Sequence, residues 1–493
     1  MGLGLRQKRP AAFWTVAALV AAAVAYGAFV VGNRIDSVDR PPALPTLPDL
    51  SQQPSALRLH LTEADRAARA QPTSPDAVAA LGLAYHADMF YDEAQRCYAI
   101  AETLSGAWRW TYLRALAQSE RGDAGGLADA LRRVTRAAPE FSPAWWRLGE
   151  TELKAGRYDA AETAWRRASS LPNPEPPPGA QTGSPHRTPV APIAAYATFG
   201  LARIAIIKGD PDDARANLES ITANAPRFGP AFRLLAEAYT ALGRADDAAR
   251  VTRIADRSPG YDPYVDPTID ELVRESRNPT FLLQQAAATD ASTNAPWREL
   301  LIRRALDLDP EHTDALFELA SLLRALRRYG EALELLERHR RLVPDDFQVL
   351  ADIGRCLSGL RRFAEAETML RRALEGLDDA NTRYDLGLVL DREGRVKEAI
   401  AEYQRAIERN PNHRDALNNL GVAFARQGQL PRAVRQFERL VAVDPDNADA
   451  HTNLGVMLLS QGARDLAARE FRVALQLSPD HALAREGLQK LER

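Results

Sequence analysis

Between Ala380 and His481 the apolar and polar positions recur in one pattern with a step of 34 residues. Leu386, Leu420 and Leu454 each stand directly before a glycine, Gly387, Gly421 and Gly455. An apolar residue follows three positions later, which puts all three on one face of a helix. A second glycine, Gly394, Gly428 or Gly462, permits a tight turn at its end. Ala399, Ala433 and Ala467 come next, followed four positions later by Tyr403, Phe437 and Phe471, on one face of a second helix. Pro411, Pro445 and Pro479 stop that helix. The pattern predicts helix–turn–helix units whose small residues mark the close crossing. A fixed period of this length signals a repeat architecture.

The period runs through most of the chain. Leu81-Gly82, Ala94 and Tyr98 mark one unit, Gly122, Leu127, Leu131 and Pro139 a weaker one, and Leu148-Gly149, Gly156, Ala161 and Trp165 a third. These fall within repeats expected over 58–172. Residues 173–192 are rich in proline, cannot bury a core and read as a flexible loop. Repeats resume over 193–262 with Leu201, Gly209 and Ala214, then Leu235, Gly243 and Ala248. A second break, 258–278, carries turn chemistry at Ser258-Pro259-Gly260 and Asp266-Pro267, then Ile269, Leu272 and Val273 of one short helix. Its later part, 263–278, is expected to connect two repeat blocks and to be more accessible than either. Residues 279–312 form a degenerate unit without a mid-unit glycine, and 313–481 are regular except that Asp378 replaces a closing proline. That makes ten regular units and one degenerate one. Residues 482–493, with Leu483, Leu488 and Leu491, should form a helix covering the last apolar face.

The gapless units over 380–481 carry the signature residue types of the tetratricopeptide repeat at its offsets, and the chain resembles that family. The resemblance implies an all-α fold, a right-handed superhelical solenoid of helix pairs whose concave groove binds proteins or peptides. In the family, first-helix places two, five, nine, twelve and thirteen line the groove. Carried over, those places give a peptide-binding groove that includes Tyr112, Trp146 and Phe199 in the N-terminal block. In the C-terminal block they include Arg324, Arg355, Tyr384, Arg392, Asn418 and Arg426. The arginines suit carboxylate partners, because a guanidinium donates two parallel bonds. The aromatic N-terminal surface suits an apolar peptide or helix; packing between neighbouring helices accounts for the same rings equally well. The family's clamp for chaperone tails is not supported, since Asn418 and Thr452 are followed four places on by Val422 and Val456.

Ahead of the repeats, residues 1–10 carry Arg6, Lys8 and Arg9 and no acid, and 11–32 are uncharged. A helix of that length spans about 33 Å, enough for a bilayer core of roughly 30 Å. Trp14 and Tyr26 can anchor it at the interfaces. The basic flank predicts a single-pass cell (inner or plasma) membrane protein. Its N-terminus would be cytoplasmic and its repeats extracytoplasmic, periplasmic in a bacterium. Ala23-Val24-Ala25 offers the rival reading of a cleaved signal peptide and a secreted soluble binder. Residues 33–57, with Pro41, Pro42, Pro45, Pro48 and Pro54, read as an extended linker.

Composition adds exclusions. A net charge of -3 gives no general pull toward nucleic acid, and the arginine doublets at 327, 340, 361 and 371 sit beside Glu331, Glu337 and Glu365 on a solvated face. Cys97 and Cys356 lie in different units and build neither a disulfide nor a metal site. His312, His413 and His481 all occupy the last place of a unit, several units apart, and read as exposed turn residues rather than ligands. No phosphate-binding, nucleophile-elbow, metalloprotease or haem motif is present, so no enzyme and no cofactor is expected. The expected function is a membrane-tethered scaffold for assembling a protein complex. The alternative is a non-catalytic platform for a separate enzyme such as a glycosyltransferase.

Overall fold

The structure, a computed structural model, describes residues 43–121, 126–174, 191–258, 260, 264 and 266–492. The segment 11–32, Gly122 and most of the loop expected at 173–192 lie outside the described residues. Every regular element among them is an α-helix. The chain divides into two compact units, the second beginning at Glu299.

The first unit opens with α1 (Ser55–Ala70), α2 (Pro75–Ala87), α3 (Tyr91–Ser105), α4 (Trp108–Glu120), α5 (Leu127–Ala137), α6 (Ser142–Lys154) and α7 (Tyr158–Ser169). It continues with α8 (Ile193–Lys208), α9 (Pro211–Asn224), α10 (Gly229–Ala241), α11 (Ala245–Ala255), α12 (Pro267–Glu275) and α13 (Pro279–Ala287). From α1 to α11 each helix packs on the next. Helix α12 instead packs on α2, far back in the sequence, and on α13. The unit boundary falls within α14 (Ala291–Leu308), a helix broken at Asn294 just before Pro296. The division between blocks is therefore not at 258–278, which belongs to the first unit. The expected linker is also shorter than 33–57: α1 starts at Ser55 and buries Leu57 and Leu61, and Arg69 Nη2 donates to the Pro45 carbonyl at 2.8 Å.

The second unit holds α15 (Thr313–Ala325), α16 (Tyr329–Leu342), α17 (Phe347–Gly359), α18 (Phe363–Ala373), α19 (Ala380–Arg392) and α20 (Val396–Arg409). Then follow α21 (Arg414–Arg426), α22 (Leu430–Val443), α23 (Ala448–Ser460), α24 (Arg464–Leu477) and α25 (Ala482–Glu492), again each on the next.

In most of the helix pairs a glycine in the first helix sets the spacing. A Cβ on Gly421 would come within 2.8 Å of the Phe437 ring, and one on Gly455 within 2.7 Å of Phe471. In the first unit one indole serves two helices, since Trp165 lies against both Gly149 and Gly200, where a Cβ would meet it at 2.4 and 2.5 Å. Ala399, Ala433 and Ala467 are fully buried at the crossings. The turn glycine Gly428 has φ 72°, a conformation L-residues resist; Arg327 holds the same conformation at φ 60° without a glycine's freedom.

Two end-of-unit details differ from expectation. His413 is buried and His481 half-buried, because each caps a helix: His413 Nδ1 accepts from Ala416 N–H at 3.2 Å and His481 Nδ1 from Ala484 N–H at 3.3 Å. In α25 the covering contact is Gly487 over Phe471, while Leu483 is exposed. Asp378, in the place of a closing proline, accepts from Arg383 Nε at 2.7 Å and pairs with Arg409. Those two guanidinium groups hold its carboxyl down to about 2.

Gly421→Ala should lower the stability of the second unit by about 1–3 kcal/mol through overpacking. Arg327→Gly should raise it by up to about 1 kcal/mol by relieving the left-handed turn. Both are read by urea denaturation of the full chain. A carboxyl depressed on folding contributes stability above its unfolded value of 3.8 that is lost as pH falls through about 2. Asp378→Asn should therefore flatten the loss of helicity between those two pH values, measured by acid titration.

Candidate functional site

Helices α15, α17 and α19 are successive first helices of the second unit, and they bring Arg324, Arg355 and Arg392 to one cavity of about 490 Å³. Arg361, Tyr329 and Phe363 complete its wall from the turns and second helices. Arg355 is held by acids: Nη1 donates to Asp352 at 2.9 Å and Nε to Asp385 at 2.5 Å. Arg324 Nε lies 3.3 Å from Asp352 but is not aligned to bond it. Burial pushes the Asp385 carboxyl above its ordinary range, against the pull of Arg355. Burial also works against charge on Arg355, but the Asp385 and Asp352 carboxylates outweigh it and raise its hold on the proton. Arg361 and Arg392 are exposed and pair with no acid among the described residues. Four guanidinium groups thus face one lining carboxylate, Asp385, and two of them stay open to a ligand.

The other carried-over residues of this unit are differently engaged. Arg426 Nη1 bonds both oxygens of Asp391, at 2.9 and 3.0 Å. Tyr384 is half-buried, its ring 5.0 Å from that of His413, and its hydroxyl accepts from Asn419 Nδ2 at 3.3 Å. Asn418 donates to Asn419 at 3.2 Å and accepts from Asn453 Nδ2 at 3.2 Å. The result is an amide ladder across α19, α21 and α23. Arg361 and the ladder residues Asn419 and Asn453 were not singled out by their repeat places. A signal for Arg361 does exist, an arginine doublet where other units carry the turn glycine.

In the first unit the carried-over surface is filled by the chain itself. Tyr112 is fully buried, and its hydroxyl donates to Asp266 Oδ2 at 2.5 Å. Arg147 Nε and Nη2 reach the same oxygen at 3.1 and 3.0 Å. Burial, above all, pushes the Tyr112 phenol well up. The other Asp266 oxygen accepts the Thr268 N–H at 3.0 Å and so caps α12. Trp146 and Tyr196 stack edge-on or tilted about Tyr264, ring centres 5.5 and 5.8 Å away. Ile269 packs into the cluster around Tyr112, and Arg109 pairs with Glu271. At the far end Ser276 Oγ donates to the Ala87 carbonyl at 2.8 Å, and the Arg277 N–H to Asp88 Oδ1 at 2.7 Å. Asn278 Nδ2 donates to the Asp88 carbonyl at 3.1 Å. The connector expected to be accessible thus buries Tyr264, Asp266, Leu272, Val273 and Ser276. The reason is physical: a short amphipathic helix has no stability of its own and must bury its apolar face. Phe199 stands apart from this contact, half-buried against Phe228 with ring centres 5.4 Å apart. The buried thiols Cys97 and Cys356 carry no such chemistry; burial pushes them up to about 12 and about 11.

Helix pairs stacked at a fixed period, with first-helix side chains gathered on one surface, define a repeat scaffold for binding other proteins. Tetratricopeptide repeat profiles match residues 119–171, 298–347, 352–413, 384–434 and 418–482, and a further one matches 205–265. The chain belongs to the tetratricopeptide repeat family. Solved structures similar to parts of it include YrrB, described as a TPR protein with an unusual peptide-binding site. It is 28% identical, with 38% of this chain and 97% of that chain covered and a TM-score of 0.33. PilF of Pseudomonas aeruginosa is 18% identical over 43% of this chain and 97% of its own, with a TM-score of 0.38. Yeast Tom70 is 14% identical over 85% and 95%, with a TM-score of 0.35. No curated protein matches the sequence.

Arg147→Ala leaves Asp266 buried without its cation and should cost about 3 kcal/mol. Amide exchange should rise first at Leu272 and Val273 and little within α9 to α11.

Proposed function

We propose that the chain is a membrane-tethered scaffold whose C-terminal repeats hold an acidic segment of another protein. The observation that carries this reading is the pair of open guanidinium groups, Arg361 and Arg392, beside Arg324 and Arg355 in one cavity. Arg355 is fixed by Asp352 and Asp385, so the cavity keeps its shape while the open cations meet carboxylates. Tyr329 and Phe363 supply apolar walls, so the segment best suited to it mixes acidic and apolar residues.

The tether rests on the uncharged run 11–32 behind a basic flank. Among the described residues no helix is long and apolar enough to cross a membrane. In this reading the repeats stand on the extracytoplasmic side of the cell membrane, periplasmic in a bacterium, and the scaffold assembles a complex there.

Fluorescence polarisation of a labelled hexaglutamate peptide against the full chain in detergent tests the pocket. Binding should weaken about tenfold in the Arg361→Ala, Arg392→Ala double variant and fall with added salt, with helicity unchanged. Equal affinity for the variant and the parent would refute the assignment. For the tether, the full chain should stay with membranes in carbonate wash, and a chain lacking 11–32 should not. Release of both would remove the membrane from the reading.

A further inference from the structure

The segment 264–278 occupies the first unit's groove in the manner of a ligand. Its polar ends meet side chains presented by the repeats, Arg147 and Tyr112 at one end and Asp88 at the other. Its aliphatic residues at the third, sixth and seventh places after the aspartate cap, Ile269, Leu272 and Val273, turn inward. The surface it covers is built from equivalent first-helix places of successive repeats, Tyr112 on α4 and Trp146 on α6. A helix of nine residues does not persist alone, so this one exists only while docked. Such lightly anchored elements open at the low end of a protein's stability range.

We propose that this groove is a helix-recognition surface held by an internal ligand, and that it accepts from a partner protein a short helix of the same chemistry. That chemistry is an aspartate N-cap followed by proline, with aliphatic residues three, six and seven places later. Aspartate is read by the Arg147 guanidinium and the Tyr112 hydroxyl, which converge on one oxygen. Without a carboxylate there the buried Arg147 charge loses its counter-ion, and the Tyr112 hydroxyl, itself accepting from Arg147 Nε at 2.8 Å, loses its acceptor. Of the aliphatic face, Ile269 is read by the aromatic cluster about Tyr112 and Phe141, and the helix otherwise packs on α2. The tether gives the internal helix an effective concentration in the millimolar range. A partner segment of equal quality therefore enters only where it is itself concentrated or the internal helix is weakened.

The probe is a fluorescent peptide with the sequence of residues 264–278, measured by polarisation against the full chain. The parent should bind it weakly, and a variant with Asp266→Ala and Leu272→Ala should bind it at least about tenfold more tightly. Adding Arg147→Ala to that variant should abolish the gain, and so should replacing the peptide's own aspartate by alanine. Should the double substitution lose its far-UV helicity, Asp266→Asn alone, which keeps the side chain's shape, carries the same comparison. A folded variant that binds no better than the parent, or a gain that survives Arg147→Ala, overturns the proposal and makes the segment a structural strut only.

Discussion

The stacking depends most on how closely two helix backbones approach, and in the pairs built around Gly82, Gly149, Gly387, Gly421 and Gly455 that closeness is set where a ring meets a glycine. Any side chain on Gly149, Gly421 or Gly455 would collide with the aromatic of the second helix, so the glycine is a requirement of distance and not of flexibility. The ring fills the space that the missing Cβ leaves, and the buried alanines Ala399, Ala433 and Ala467 let the helices cross there. Trp165 carries this furthest, because its one indole sits on the glycines of two first helices and so joins α6, α7 and α8. The chain between α7 and α8 is longer than elsewhere, yet the shared ring preserves the packing from pair to pair.

With backbone spacing fixed, the same repeat places are free to do different work. In the second unit they present Arg324, Arg355 and Arg392 to a cavity, with acids placed to immobilise one cation and leave Arg392 open. In the first unit they present rings and one well-placed guanidinium to a helix from the same chain. Each surface matches its contents by charge: carboxylate-seeking cations in one, a buried aspartate with its cation in the other. Two surfaces of different selectivity suit a scaffold better than one repeated many times.

The repeat units were legible because their cause is local: glycine, alanine, aromatic and proline at fixed offsets report a helix crossing directly. Of the places carried over from the family, Arg324, Arg355 and Arg392 share one cavity. What escaped was tertiary. Nothing near Asp266 in sequence foretells that its carboxylate meets Arg147 and Tyr112, which lie more than one hundred residues away. The turn chemistry of Asp266-Pro267 reads as an exposed connector and is equally a helix cap, and only the aromatic surface decides between them. Arg361 was missed because it departs from the pattern, standing like Arg327 in a left-handed turn where the later units use Gly394, Gly428 and Gly462. His413 and His481 look like loose turn residues until the free N–H groups of the next helix claim their ring nitrogens.

The internal helix also orders events in time. Arg109, Tyr112, Trp146, Arg147 and Tyr196, which meet the segment, leave the ribosome before Tyr264 and Asp266 are made. Domains begin to fold as they emerge, so the aromatic surface is assembled empty and stays empty while α9, α10 and α11 are still being synthesised. During that interval the nascent chain displays a hydrophobic, arginine-bearing face that the finished protein conceals. The arrival of α12 is then a closing step in biosynthesis, the moment at which a sticky intermediate becomes a quiet one.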